Sequence, residues 1–243
     1  MVRMPTAFIA KVRTYAMLTS EDEALLLEAV ADNRRVPARR DLIREGDKPG
    51  PVYVMLEGWA CRYKLLPDGG RQITAFLIPG DFCDMHVAVL EQMDHSIATL
   101  TPARVAMIPR PQMEEIIDSR PMITQAFWRT QLVDEGVLRA WIVSMGRRDA
   151  AERVAHLMCE LFLRLSVVGL AGEGTCALPL TQIVIADALG LTPVHVNRVL
   201  RGLREAGAME IDRGQLVIND TARLAQIAGF DDNYLHRRMR RGT

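Results

Sequence analysis

The sequence predicts an α+β fold in three parts: an antiparallel β-barrel or jelly-roll, one long helix, and a small C-terminal domain of helices and a hairpin. Three observations predict it. From about Asp41 to Pro109 the chain is cut at intervals of roughly ten residues, as small barrels are, by Glu45-Gly46-Asp47, Pro49-Gly50-Pro51, Glu57-Gly58, Pro67-Asp68-Gly69-Gly70, Pro79-Gly80-Asp81 and Thr101-Pro102. After Pro109 no glycine interrupts the chain until Gly136. Two short helical segments then flank Gly190, and two apolar runs follow around Arg213-Gly214.

Composition sets the outer limits. With 243 residues, 30 basic against 30 acidic side chains and 49% hydrophobic residues, disordered and collagen-like chains are excluded, and a core can form without disulfide staples. The apolar runs fall well short of the roughly 20 residues that span a bilayer, and Ala7-Phe8-Ile9-Ala10 is too short for a signal-peptide core. A cytoplasmic protein with no membrane partner is expected. Cys61, Cys83, Cys159 and Cys176 are widely separated, so reduced thiols are expected rather than a tetrathiolate zinc site or an iron-sulfur cluster.

Ser20-Glu21-Asp22-Glu23 has the spacing of a capping box, and Leu25, Leu26, Ala29 and Val30 follow at helical intervals. Val52-Tyr53-Val54-Met55-Leu56 and Ile73-Thr74-Ala75-Phe76-Leu77-Ile78 are rich in β-branched and aromatic residues, which suits strands. Pro121 fits the first turn of a helix that can run to about Ser144. Ile123, Phe127, Thr130, Val137 and Trp141 follow one seam, and Val133 belongs to the neighbouring register. Apolar residues on more than one side imply a second partner. A twin helix in a homodimer is expected, with these six residues at its interface; the alternative is a core helix inside a larger domain. Met145-Gly146-Arg147-Arg148 reads as a hinge, Asp149 caps a helix from Ala150 to about Leu165, and the stretch from Val167 to Leu178 reads as loop. The expected domains are therefore residues 1–120, 121–145 and 146–243.

The most informative stretch is Thr181 to Arg204. Thr181 caps a short helix that Gly190 ends in a left-handed turn, and Thr192 caps a second with Pro193 at its first position. Ile185, Ala186 and Leu189 meet Val196, Val199, Leu200 and Leu203, a helix-turn-helix. Val194, His195, Asn197, Arg198 and Arg201 are left facing outward. Arg can fork onto guanine, Asn onto adenine, and Val can meet a thymine methyl. No acid occurs between Leu189 and Arg204, so phosphates meet no repulsion. Met209 to Ile218 adds a hairpin, making the motif winged. Double-stranded DNA is the expected partner: Val194, His195, Asn197 and Arg198 would read bases, and Thr181, Gln182, Thr192, Arg201 and Arg213 would hold phosphates.

Taken in order, Gly46, Gly58, Pro79-Gly80-Asp81-Phe82, the long helix, Asp149 and the winged motif resemble the family of the cyclic-AMP receptor protein and the fumarate-nitrate regulator. The likeness spans Ser20 to Ile218. It implies a cyclic-nucleotide-binding-like jelly-roll as sensor, a homodimer, and a transcription regulator on a two-fold symmetric operator with half-sites about one helical turn apart. It also allows RNA polymerase as a partner. It places Val194, Asn197 and Arg198 at base-reading positions and Thr181 and Gln182 at phosphate contacts.

Where cyclic-AMP binders carry a Gly-Glu pair and later an Arg-Ser pair, this chain has Asp84-Met85 and His95-Ser96. An acid near the phosphate position, without the arginine, disfavours a cyclic nucleotide. These four residues and Arg139 are the candidate effector residues, the effector itself being unidentified. Cys83 and His86 resemble, with one extra residue of spacing, the ligand placement of the haem-dependent carbon-monoxide sensor of the family; the plainer reading makes Cys83 a small buried hydrophobe and His86 a helix-capping or surface residue, and no cofactor or metal is expected. An enzyme of the double-stranded β-helix type would need clustered His and carboxylate ligands. Only His86 and His95 fall in the barrel, so no enzymatic activity is expected. A ligand-binding barrel with a protein-binding C-terminal domain is the remaining alternative; it predicts no salt-dependent DNA affinity.

Overall fold

A computed structural model describes residues 6–85 and 90–237. They divide into two compact units between Thr130 and Gln131. In the first, α1 (Thr6–Tyr15) and α2 (Ser20–Ala29) precede seven strands: β1 (Asn33–Val36), β2 (Asp41–Ile43), β3 (Val52–Glu57), β4 (Ala60–Leu65), β5 (Arg71–Leu77), β6 (Ser96–Thr99) and β7 (Ala103–Ile108). They form two antiparallel sheets, ordered β1-β7-β3 and β2-β6-β4-β5. Met55, Ile73, Phe76, Ile97 and Ile108 are among the fully buried residues of this unit. Gly58 shows why its turn needs glycine: φ is +82°, and a Cβ there would overlap the Pro102 carbonyl oxygen.

Helix α3 (Arg110–Ser119) follows, then α4 (Pro121–Arg147), whose 27 residues run about 40 Å at 1.5 Å per residue. The second unit continues with α5 (Ala150–Val167), β8 (Ala171–Gly172), β9 (Thr175–Ala177), α6 (Gln182–Leu189), α7 (Pro193–Glu205), β10 (Met209–Asp212), β11 (Gln215–Ile218) and α8 (Thr221–Ala228), and ends in a 3-10 turn, Asp232–Leu235. The strands form one sheet, β10-β11-β9-β8.

Four sequence expectations need correction. The cap of α2 is Thr19, not Ser20: its hydroxyl accepts from the Asp22 amide, Asp22 accepts from the Thr19 amide, and Glu23 pairs instead with Arg13 at 2.6 Å. The stretch between Val167 and Leu178, expected to be loop, holds the β8–β9 hairpin, which joins the wing by β9 pairing with β11. Gly146 lies inside α4, which continues to Arg147; the break falls at Arg148-Asp149, where Asp149 and Glu152 form the capping box of α5.

The fourth correction concerns the long helix. Ile123, Phe127, Thr130, Val133, Val137 and Trp141 are all buried within the single chain. Phe127 meets the Phe82 ring edge-on at 4.9 Å, and Trp141 donates to the Glu160 carboxylate. The apolar residues left exposed are Met122, Trp128, Leu132, Leu138, Ile142 and Val143, with Trp128 at 74% and Ile142 at 72%. The helix has two apolar faces, and the chain's own packing takes the more regular one.

Candidate nucleic-acid interface

The interface is built from helix ends. The Thr181 hydroxyl accepts from the Val184 amide at 3.3 Å and starts α6; Gly190, at φ +62°, ends it. The Thr192 hydroxyl accepts from the His195 amide at 3.2 Å and starts α7 with Pro193 in place. These caps satisfy amides that helix starts otherwise leave unpaired. The two helices are bent by 101°, within the range of a helix-turn-helix. Ile185, Ala186, Ala188 and Leu189 are buried on α6, and Val196 and Leu203 on α7.

On the opposite side of α7, Asn197, Arg198 and Arg201 are exposed, and Val194 is 71% exposed. His195 is half-buried. A groove lined by Thr181, Gln182, Asn197 and Arg201 also takes in Arg204 and Glu210, which the sequence reading did not single out. Arg201 leans toward Glu205, with Nε 3.7 Å from the carboxylate. Arg213 stands at the tip of the wing: Asp212 pairs with Gln215, leaving the two-residue turn Arg213-Gly214 with φ +47° and +78°. That is the I′ geometry of a tight hairpin, and it projects the Arg213 side chain, 93% exposed, into solvent.

Behind this surface, Arg153 clasps three helix-end carbonyls. Nε donates to Arg148 O at 2.9 Å, Nη2 to Met145 O at 2.9 Å and Nη1 to Leu189 O at 3.2 Å. One guanidinium thus ties the end of α4, the start of α5 and the end of α6. No sequence motif marks this residue.

The candidate effector residues fall apart into separate settings. Asp84 and His95 face one another, Nε2 to Oδ2 3.7 Å, and His95 Nδ1 lies 2.6 Å from Asp94, whose carboxyl the imidazole holds below its ordinary range. Ser96 accepts from the Glu45 amide at 3.0 Å, and Met85 is half-buried. Arg139 belongs to the other unit, on an exposed face of α4, 3.4 Å from Glu135. Arg62, missed in the sequence, donates from Nη2 to the Cys83 carbonyl at 2.7 Å, and among the described residues its buried Nε meets no hydrogen-bond partner. Cys83 is buried, which pushes its thiol up to about 12; His86 lies outside the described residues. Among the described residues no group of three His, Cys, Asp or Glu side chains gathers to hold a metal ion, and no single helix is long and apolar enough to cross a membrane.

Comparison with known proteins follows the two units. Residues 33–120 match the cyclic nucleotide-binding domain family, and residues 152–227 match the Crp-like helix-turn-helix domain. The nitrogen fixation regulation protein FixK of Bradyrhizobium diazoefficiens is 33% identical over 220 residues, 89% of this chain and 91% of that protein. The transcriptional activator protein FnrL of Cereibacter sphaeroides is 28% identical over 87% of this chain and 86% of its own. The structure of FixK2 from Bradyrhizobium japonicum superposes with a TM-score of 0.74 at 27% identity, covering 83% of this chain and 99% of that one. A sensor-type β-roll, a long helix and a winged helix-turn-helix in this order, with relatives of this extent, identify the chain as a member of the Crp/Fnr family of transcription regulators.

Proposed function

We propose that the protein is a homodimer that reads a two-fold symmetric DNA operator with α7 of each copy, and that cyclic AMP does not control it. The observation that carries the first part is the outward face of α7. Val194, Asn197 and Arg198 are exposed on a helix whose other side is buried, and no acid lies between Leu189 and Arg204. Val194, His195, Asn197 and Arg198 then take base edges. Thr181, Gln182 and Thr192 at helix starts, with Arg201 and Arg213, take phosphates on either side.

The exposed apolar row of Met122, Trp128, Leu132, Leu138, Ile142 and Val143 is the surface on which two copies pair. Trp128 and Leu132, and again Leu138 and Ile142, stand four residues apart and so stack on one side of α4, away from the buried seam. For the sensor, the Asp84-His95 contact supports the absence of cyclic-AMP control. His95 Nε2 stands 3.7 Å from Asp84 Oδ2 at the positions where the arginine is missing, and a nucleotide phosphate entering there meets the Asp84 carboxylate. A cytoplasmic location and RNA polymerase as a partner accompany the regulator reading, as does the absence of enzymatic activity.

The test is selection of bound duplexes from a random DNA library, with sedimentation of the protein alone and on the selected duplex, and calorimetry with cyclic AMP. Inverted half-sites one turn apart, a dimer mass and no heat with micromolar cyclic AMP are expected. A monomer on a single half-site, or no salt-dependent DNA affinity, sinks the dimeric regulator; saturable heat sinks the cyclic-AMP statement alone.

A further inference from the structure

Glu160, in the middle of α5, is fully buried and carries a carboxylate that no base-reading or effector role uses. Three donors from three separate segments converge on it. Trp141 Nε1 of α4 lies 3.2 and 3.1 Å from its two oxygens, the Tyr234 hydroxyl of the 3-10 turn donates at 3.0 Å, and Arg164 Nη1 approaches to 3.4 Å from the next turn of α5. A buried carboxylate is tolerated only where such partners surround it. The arrangement therefore holds together only while the C-terminal turn stays docked on both helices.

Three further features hold that turn. Asp231 caps it, accepting from the Asn233 amide, and Arg237 pairs with Asp232 at 2.9 Å. Tyr234 stacks on the buried His156 of α5, ring centroids 5.6 Å apart and 16° from parallel, with Phe230 edge-on to both. Gly136, the mid-helix glycine of α4, is where the turn crosses: a Cβ there would overlap the Tyr234 carbonyl oxygen. Glycine weakens a helix interior, and here its absent side chain is what admits the crossing backbone.

We infer that the segment Phe230–His236 is a latch that fixes the angle of the DNA-binding domain on the long helix, with Glu160 as its anchor and Tyr234 and Gly136 as positioning residues for operator recognition. The inference rests on the dimeric reading above, since the angle at which each copy leaves α4 determines the separation of the two α7 helices. Arg153 ties the carbonyl ends at the α4–α5 junction, and the latch braces the same two helices further along, between Gly136 and Glu160. With both in place the winged domain cannot swing on Arg148-Asp149. With the latch off, Arg153 alone is a single pivot.

Two substitutions open the latch differently. Tyr234→Phe removes only the hydroxyl from Glu160. Gly136→Ala leaves the Glu160 contacts' chemistry untouched, favours the helix, and wedges the crossing segment outward. Full-length wild type and both variants are compared by fluorescence anisotropy on the selected operator, on the same operator with one base pair added between half-sites, and on an unrelated duplex. Amide hydrogen exchange across residues 144–150 is measured without DNA. The latch predicts that both variants lose about tenfold of the wild-type preference for the matched spacing, keep their affinity for unrelated DNA, and exchange faster at the junction. Unchanged exchange, or faster exchange with the spacing preference intact, overturns the inference, as does an equal loss on all three duplexes. If wild type itself shows no spacing preference, the dimeric operator reading has failed, and exchange alone decides whether the segment braces the junction.

Discussion

Acidification from pH 7 to pH 5 should destabilise the C-terminal unit through His156, and replacing that residue by phenylalanine should remove the effect. The imidazole is 2% exposed against Tyr234 and Phe230. Burial first, and the nearby positive charge of Arg148 second, lower its pKa from 6.5 to about 4. Between those values the unfolded chain binds a proton that the folded chain refuses. Stability from this group is therefore complete above pH 6.5 and is lost as the pH falls toward 4. With 6.5 unfolded and about 4 folded, the loss on going from pH 7 to pH 5 is about 2 kcal/mol. Glu160 in the same cluster acts in the opposite sense. Burial raises its carboxyl above the ordinary range, so its contribution improves as the pH falls. A pH profile of wild type alone mixes the two slopes. The informative quantity is the difference between wild type and His156→Phe, which keeps a ring against Tyr234 and leaves Glu160 in place. Urea unfolding at pH 5, 6 and 7, followed by the fluorescence of Trp141 in this cluster, measures it. Wild type should lose about 2 kcal/mol more than the variant between pH 7 and pH 5. Parallel profiles would refute the assignment of a neutral, proton-refusing imidazole to position 156.

Three other substitutions separate the roles of the remaining surfaces. Arg198→Ala should cost about 1 to 3 kcal/mol on the operator and relax one base position; anisotropy titrations that show the same loss on every sequence would make Arg198 a phosphate contact instead. Ile142→Glu places a charge in the exposed row of α4, and sedimentation should show the dimer replaced by monomer at micromolar concentration; an unchanged dimer would move the interface elsewhere. Thr192→Ala removes the cap of α7 and should lower the stability of the C-terminal unit by about 1 kcal/mol in urea unfolding, with a loss on both specific and unrelated DNA because the helix start proposed to meet phosphate frays.

The helix starts and stops of the winged motif were legible because their signals are local. Thr181, Gly190, Thr192 and Pro193 each act within one turn of chain, through caps and a left-handed stop that neighbours in sequence decide. The helix α4 itself was legible from Pro121 onward, but what covers its seam was not, for the opposite reason. Its seam of Ile123, Phe127, Thr130, Val137 and Trp141 has the right period for a helix pair, but periodicity states only that a face is buried, never by what. Here the face is closed by Phe82 in the first unit and by Glu160 in the second, 41 residues before Ile123 and 19 after Trp141 in the chain. The same reasoning explains why Arg153 and Tyr234 stayed invisible. Their partners are backbone carbonyls and a lone buried glutamate, and neither leaves a spacing in the sequence. What remained readable on α4 was that a single stripe could not account for Trp128, Leu132 and Ile142 together with Ile123 and Phe127. A helix with one apolar face needs one partner, whereas α4 has two such faces, and its own chain covers only one. The surplus is therefore the part of the sequence that speaks about assembly, and the buried seam is the part that speaks about the fold.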